Sequence, residues 1–388
     1  MNFWQKIDKP IIGLSPMDGV TDASFRFITA KYGHPDVTFT EFVNVETVFH
    51  APRTLIRDLM YSEIERPVVA QIYGHTPEMF YKVAHIVCEL GFDGLDINMG
   101  CPAKKVAAQG SGAALIRTPE LARAIIQNAR QGIADWHAGQ TLVHLGIGPE
   151  VCAAIDLING LRGGERRLIP LSVKTRIGYD SIVVEDWMQT LLAENPAAIT
   201  LHGRTLKQGY KGNADWDAIG RAVEIAKNST TLVLGNGDLK DMEAVCSRVR
   251  ETDVDGVLLG RAAQGNPWIF RAKDQVKRIL RSAGDVTIHN PAVDLGERFR
   301  VLLEHSRHFE SLSAIGNFVG MRKHLASYCY ASPGAAELRS QMVRVNRTEE
   351  VVQCLIAYAG SLGAKFDPTE PALRDLDSRI ESAATCLS

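Results

Sequence analysis

The chain has 388 residues, 45% of them hydrophobic and 23% charged, with a formal net charge of −2. That length and composition describe a soluble chain with a large core and more than one domain, and the near-neutral balance excludes a global nucleic-acid signature, so any RNA contact has to come from a local patch. Seven scattered cysteines (Cys88, Cys101, Cys152, Cys246, Cys329, Cys354 and Cys386) without a CxxC pair argue against a disulfide framework or a zinc site.

They fit a reducing cytoplasm, the compartment expected here. The N-terminal MNFWQKIDKP lacks the apolar core of a signal peptide, and no apolar run approaches the ~18–20 residues of a membrane span. In chain order, short β-branched apolar runs predict strands at Ile11–Met17, Val37–Phe42, Pro67–Tyr73, Gly94–Met99, Leu171–Ile177, Ala198–Gly203, Thr231–Gly235 and Gly256–Gly260. Their near-continuous apolar character is that of strands covered on both faces, as in a parallel sheet. Amphipathic stretches between them predict helices at Pro77–Leu90, Pro119–Gln131, Trp187–Glu194, Trp216–Lys227 and Lys240–Arg250. Strand and helix alternating through eight strands predict an α/β fold, a (β/α)8 TIM barrel over residues 1–283. An extra insertion at about 133–170 carries a helix at Pro149–Leu161 and the turn RGGERR (Arg162–Arg167). It is read as a surface insertion on the non-catalytic face.

Past Arg261 the strand pattern stops. Helical stretches follow at Trp268–Ala283, Leu295–Leu312, Ala314–Tyr328, Pro333–Val345 and Thr348–Gly360, with Gly284–Pro291 as the linker. A smaller all-helical C-terminal domain over 291–365 and a tail over 366–388 are therefore expected. Between Arg271 and Glu350 there are 13 Lys and Arg against 9 Asp and Glu, a basic excess in a chain that is acidic as a whole. Such a run is usually a solvated helix face, and on charge alone it is a weak RNA-binding signal.

In a (β/α)8 barrel the active site lies at the C-terminal ends of the strands. Those ends read Pro16-Met17-Asp18, Glu41, Gln71, Asn98 with Cys101, Lys174 with Arg176, His202 with Arg204, Asn236-Gly237-Asp238, and Gly260-Arg261. Any one of them has an ordinary structural explanation, and the converging set is the signal. Most free cysteines are small buried hydrophobes, but Cys101 stands in an Asn, Gly and Pro turn that argues against a core position. Glycines after strands seven and eight allow close backbone approach, and Arg261 adds a forked cation. This is the common phosphate site of such barrels, with N–H groups of Gly237, Gly260 and Arg261 as donors. Neither GxGxxG nor GxxxxGK[ST] occurs. Lys174, inside the apolar strand SVKTRIG, needs an anionic partner such as a reduced flavin. Gln71 and Asn98 can donate and accept at the edge of a flavin or a uracil.

With these residues in view, the chain resembles the tRNA-dihydrouridine synthase family. The resemblance runs through SPMDGVTD (Ser15–Asp22), TEF (Thr40–Phe42), QIYG (Gln71–Gly74), DINMGCPAKKV (Asp96–Val106), SVKTRIG (Ser172–Gly178), LHGRT (Leu201–Thr205), GNGD, LLGRAAQGNPWIF (Leu258–Phe270) and MRKHLASY (Met321–Tyr328). DINMGCPAKKV and GRAAQGNPWIF are most similar to the bacterial B-type branch. The resemblance implies an FMN-bearing barrel, a helical tRNA-binding domain and NADPH or NADH as reductant. It implies that Pro16, Met17, Asp18, Gln71, Lys174, His202, Asn236, Gly237, Asp238, Gly260 and Arg261 bind FMN, and that Cys101 is the proton donor. Asn98 and Arg176 match positions beside the flavin and the target uracil. Lys104 and Lys105, next to Cys101, are expected on phosphates flanking that base, which has to leave its stack to reach a barrel mouth. No metal, membrane or protein partner is implied. Two departures stand out: the insertion at 133–170, and Ser327 and Cys329 where relatives often end in Trp-Tyr. The alternatives are a flavin-dependent reductase of a free pyrimidine or small enone, and a non-catalytic RNA-binding barrel.

Overall fold

The computed structural model describes residues 2–50, 57–159, 166–209, 211–282, 287–289, 292–312, 318–330 and 332–369. It divides into two compact units, Met1–Ala263 with Pro267–Asn290, and Gln264–Asn266 with Pro291–Ser388.

In the first unit, eight strands form one parallel sheet: β1 Ile11–Leu14, β2 Thr38–Asn44, β3 Val68–Tyr73, β4 Gly94–Met99, β5 Leu171–Gly178, β6 Ala198–Thr205, β7 Leu232–Asn236 and β8 Gly256–Leu259. Their order is β1-β8-β7-β6-β5-β4-β3-β2. Between β1 and β2 the ring is closed by backbone bonds: Asp36 N donates to Ile12 O at 2.9 Å and Leu14 N to Val37 O at 2.9 Å. The fold is the (β/α)8 TIM barrel. Among the described residues its helices include α1 Ala23–Gly33, α2 Pro77–Glu89, α3 Lys104–Ala108, α4 Pro119–His137, α5 Pro149–Asn159, α6 Val184–Leu192, α7 Trp216–Ala226, α8 Met242–Thr252 and α9 Lys273–Arg281.

Side chains alternate across a strand, and here the alternation sorts the barrel interior into layers. Near the strand starts, Ile11, Phe39, Val69, Ala198, Leu234 and Leu258 pack together with Trp4, which is 1% exposed, from the N-terminal turn. Two and four residues further along the same inward faces come Gln71, Asp96, Asn98, Ser172, Lys174, His202 and Asn236. The outward residues, among them Ile97, Met99 and Val173, pack with the helices in the main apolar core.

Some element boundaries depart from the sequence reading. β1 stops at Leu14 rather than Met17 because Met17 O accepts from Val20 N and Thr21 N, turning the chain toward Asp22, whose side chain caps α1. β2 runs on to Asn44, so Glu41 lies within the strand, where the register against β3 shifts between Phe39 and Phe42. α4 continues through Gly132 to His137, because a Cβ at Gly132 would lie 2.4 Å from Tyr81 O of α2 and only glycine permits that close crossing. Of the RGGERR turn, Arg166 and Arg167 are described and residues 162–165 are not. Arg166 stacks 4.9 Å from the Trp136 ring, fastening the insertion to α4.

On α1, Arg26 donates to Glu65 at 2.7 Å, and the two side chains are 1% and 0% exposed. The same guanidinium donates to Thr21 O and Met60 O. Removing one member of a buried pair strands the other charge. Glu65→Ala is expected to destabilise the barrel unit by about 3–5 kcal/mol. Urea unfolding measures this, and a loss below about 1 kcal/mol would place the pair with weak surface bridges.

The described residues of the second unit contain no strand. Its helices are α10 Leu295–Leu312, α11 Arg322–Tyr328, α12 Ala335–Met342 and α13 Thr348–Ser361. Leu302, Leu325, Leu338 and Leu355 are buried among them. The expected helix Ala314–Tyr328 is shorter: a 3-10 turn at Phe318–Met321 precedes α11, and residues 313–317 lie outside the described residues. Trp268–Ala283 likewise splits into a 3-10 turn, Pro267–Ala272, and α9. Among the described residues, no helix is long and apolar enough to cross a membrane.

Candidate active site

The turn after β4 is held from three sides. Asn98 Oδ1 accepts from Gly100 N at 3.0 Å and from Cys101 N at 2.9 Å. Arg176 Nε, from β5, donates to Gly100 O at 2.6 Å. Cys101 O accepts from Ala113 N at 3.2 Å. Cys101 is 8% exposed, less open than its Gly and Pro turn implies. The small-residue run after it forms α3 and a 3-10 turn, Gly112–Arg117, which folds back against Cys101, so that a Cβ at Gly112 would lie 3.0 Å from Cys101 Cβ. Burial pushes the thiol pKa up from its ordinary value, as does Asp18, against the Ala103 hydrogen bond and the charges of Arg176 and Lys174.

Below this turn lies a polar layer. Asp96, 0% exposed, accepts from Gln71 Nε2 at 2.7 Å and from Ser172 Oγ at 2.6 Å. Gln71, also 0% exposed, accepts from Asn98 Nδ2 at 3.0 Å. Burial pushes the Asp96 carboxyl up to about 6, against its two hydrogen bonds and the Lys174 charge. Lys174 is brought down to about 8 by burial and the neighbouring Arg176, with Asp96 opposing. His202 falls to about 2 through burial and then the charges of Lys174, Arg176, Arg204 and Arg261, so it is a neutral imidazole at physiological pH. A lysine of lowered pKa that still carries its charge at neutral pH, a neutral histidine and a thiol of raised pKa thus line one barrel mouth, where a polar, hydrogen-bonding ring can be bound and protonated.

On the opposite arc of the rim, Asp238 organises the ends of β6 to β8. Its carboxylate accepts from Arg204 Nη2 at 2.7 Å, Ala214 N at 2.7 Å and Arg261 Nη2 at 3.1 Å. Burial opposes ionisation, but the Ala214 N–H and the two guanidiniums hold the carboxyl below its usual range. Gly237 has φ +130°, and a Cβ there would lie 2.7 Å from Ala214 Cβ and 3.1 Å from His202 Cδ2, so the backbone passes where no other residue fits. Asn236 Nδ2 donates to Leu258 O at 2.7 Å, tying β7 to β8. Arg204 is 3% exposed, and its Nε and Nη1 donate to nothing among the described residues. It lines a cleft of about 330 Å³ with Asp238, Lys240, Arg248 and Arg261. A cationic cleft beside a glycine-opened backbone, with buried guanidinium donors to spare, fits a phosphate.

The remaining expected residues fall around the same mouth. Pro16 and Met17 are half-buried and Asp18 is exposed on the loop after β1. Gly260 and Arg261 follow β8. Lys104 and Lys105 are exposed on α3, beside the Cys101 turn. The site residues not singled out from sequence are Asp96 and Ser172. Their signal was present: each is a polar residue at an inward position of an apolar strand. Arg204 stands at a strand end in the sequence, with no role of its own legible there. It is a strand residue, because β6 extends to Thr205.

Comparison with known proteins adds the family. The profile of the family described as Dihydrouridine synthase (Dus) matches residues 13–139 and 154–361. The residues between, 140–153, fall within the insertion read from sequence. A Staphylococcus epidermidis protein described as "Probable tRNA-dihydrouridine synthase" is 31% identical over 374 residues, covering 94% of this chain and 99% of that protein. A Bacillus subtilis protein described as "Probable tRNA-dihydrouridine synthase 2" is 31% identical over 355 residues, covering 90% and 94%. Among solved structures, DHODH from Eimeria tenella is similar at 15% identity and a TM-score of 0.40, over 72% of this chain and 75% of that one. The profile match over most of the length, with relatives alike from end to end, settles the assignment: the chain belongs to the dihydrouridine synthase family.

Proposed function

We propose that this protein reduces the C5=C6 bond of specific uridines in tRNA to dihydrouridine, in the cytoplasm, with FMN seated in the barrel mouth and NADPH or NADH as reductant. The observation that carries this reading is the convergence of Cys101, Lys174 and His202 with an unfilled-donor phosphate clamp at one end of one barrel. The clamp of Gly237, Asp238, Gly260 and Arg261 suits the FMN phosphate, and Arg204 joins it. Lys174 and His202 suit the polar edge of the ring, with Gln71 and Asn236 behind them and Pro16, Met17 and Asp18 on the β1 loop. Held by these residues and reduced, FMN would supply hydride chemistry toward uracil C6. Charge then develops toward the C4 carbonyl, and Cys101 donates the proton that C5 requires. Asn98 and Arg176 hold the thiol in place beside the base, and Lys104 and Lys105 meet the flanking phosphates.

Residues 291–365, within the second unit, are the proposed tRNA-binding domain; 9 Lys and Arg stand there against 7 Asp and Glu, a small basic excess. Affinity for tRNA is then expected to fall about 10–100-fold between roughly 50 and 200 mM salt, as read by filter binding. Indifference to salt would remove the phosphate contacts from the picture.

The function itself is tested with purified protein, FMN, NADPH and an unmodified tRNA transcript, with dihydrouridine read by mass spectrometry. Dihydrouridine is expected in the tRNA and not from free uracil. Equal reduction of free uracil would favour a small-molecule reductase.

A further inference from the structure

The polar layer under the Cys101 turn has a direction. A carboxylate only accepts hydrogen bonds, whereas a side-chain amide donates at one end and accepts at the other. Asp96 Oδ2 faces Gln71, so Gln71 has to present Nε2 to it, at 2.7 Å. That leaves Gln71 Oε1 facing Asn98, which has to present Nδ2, at 3.0 Å. Asn98 Oδ1 is then left facing the N–H groups of Gly100 and Cys101, at 3.0 and 2.9 Å. Every link agrees with the one before it, and the N–H groups of Gly100 and Cys101 fix Asn98 in the same sense from the other end. All three side chains are buried, at 0%, 0% and 7% exposure, so water cannot stand in for a lost partner. Strand register sets the spacing: Gln71 pairs with Asp96 across β3 and β4, and Asp96 with Ser172 across β4 and β5.

We propose that Asp96 is a positioning residue for Cys101: as the acceptor at the root of this chain, it sets the orientation of the Gln71 and Asn98 amides and thereby holds the turn that carries the thiol. Asp96 does not reach the reacting atoms. It acts through two amides on the backbone of residues 100 and 101. Without an acceptor at position 96 Gln71 can reverse, which sets its Nε2 against Asn98 Nδ2 and leaves only the two backbone N–H groups to hold Asn98 in place. A reversed Asn98 sets its Nδ2 against two N–H donors, and the turn is released. The inference deepens the proposed proton donation by Cys101 and takes its functional weight from it. The order of the amides is a property of the turn alone.

The test therefore reads the turn rather than turnover. Full-length FMN-loaded protein is treated with iodoacetamide, and modification at Cys101 is followed by peptide mass mapping. Asp96→Leu removes the acceptor at similar size and is expected to speed alkylation of Cys101 about tenfold or more, the equivalent of losing both Asn98 Oδ1 bonds. The exchange D96N/Q71E moves the carboxylate one place along the chain. The amide introduced at position 96 then donates to the carboxylate introduced at 71, which again forces Asn98 to present Nδ2. Because Gln71 also lies in the proposed FMN site, the exchange is compared with wild type at equal flavin content, where it is expected to keep the alkylation rate to within about threefold. A folded D96L with the wild-type rate, or an exchange variant as loose as D96L, would overturn the proposal. If D96L does not fold, Asn98→Ala decides: it has to speed alkylation like the loss of the root, and a wild-type rate in N98A overturns the chain at its last link. None of these outcomes depends on tRNA reduction. A protein that passes here and fails with tRNA loses the proposed reaction but keeps the ordered turn.

Discussion

Replacing Cys101 with alanine is expected to leave FMN bound and to slow uridine reduction by about 10²–10⁴-fold. Neither the phosphate clamp nor Lys174 touches the Cys101 side chain through any hydrogen bond described above, so the flavin spectrum should be retained. The loss should fall on the step that protonates C5. The pH dependence has a definite sign. Burial pushes the thiol pKa up from its ordinary value, so the donor form persists through neutral pH, and the rate falls only as alkaline conditions convert thiol to thiolate. Single-turnover reduction of tRNA by the pre-reduced enzyme separates this step from flavin loading. Undiminished single-turnover rates in Cys101→Ala would remove the cysteine from the chemistry.

Arg204→Ala is expected to weaken FMN binding by about 2–5 kcal/mol, roughly 30- to several-thousand-fold, the range for truncating one partner of a buried, hydrogen-bonded charge pair. Two effects combine. The clamp loses its buried guanidinium donors. Asp238 loses one of its two arginine partners and keeps Ala214 N and Arg261. Riboflavin, which lacks the phosphate, gives the control. Quenching of flavin fluorescence should show a large loss for FMN and little change for riboflavin. An equal loss for both ligands would show that Arg204 shapes the ring pocket rather than the phosphate seat.

Much of this arrangement was legible from the residues. β4 spans Gly94–Met99 as expected, because a strand covered on both faces is a compact apolar run bounded by turn residues. Polar residues at the strand ends led to the mouth, since barrel geometry gathers them whatever their distance in sequence. The rest depended on contacts that sequence does not spell out. Gly132 resembles a helix stop, yet it sits mid-helix because α2 crosses there. α8 starts at Met242 rather than Lys240 because the Asp241 side chain accepts from Ala244 N and caps it. Cys101 sits in a turn by every local sign, and its burial comes from a fold-back that rests on Gly112 at φ +61°. Asp96 lies in the best-recognised motif of the chain, but its role follows only once its neighbours on β3 and β5 are known.

The apolar packing around Trp4 has a kinetic meaning. It fills the barrel interior at the strand starts, the end away from the candidate site. Under the proposed function, a reductant and a tRNA loop would both reach the flavin from the strand ends and would take turns there. The order of events in the proposed cycle would then be set by packing at the end of the barrel away from the site.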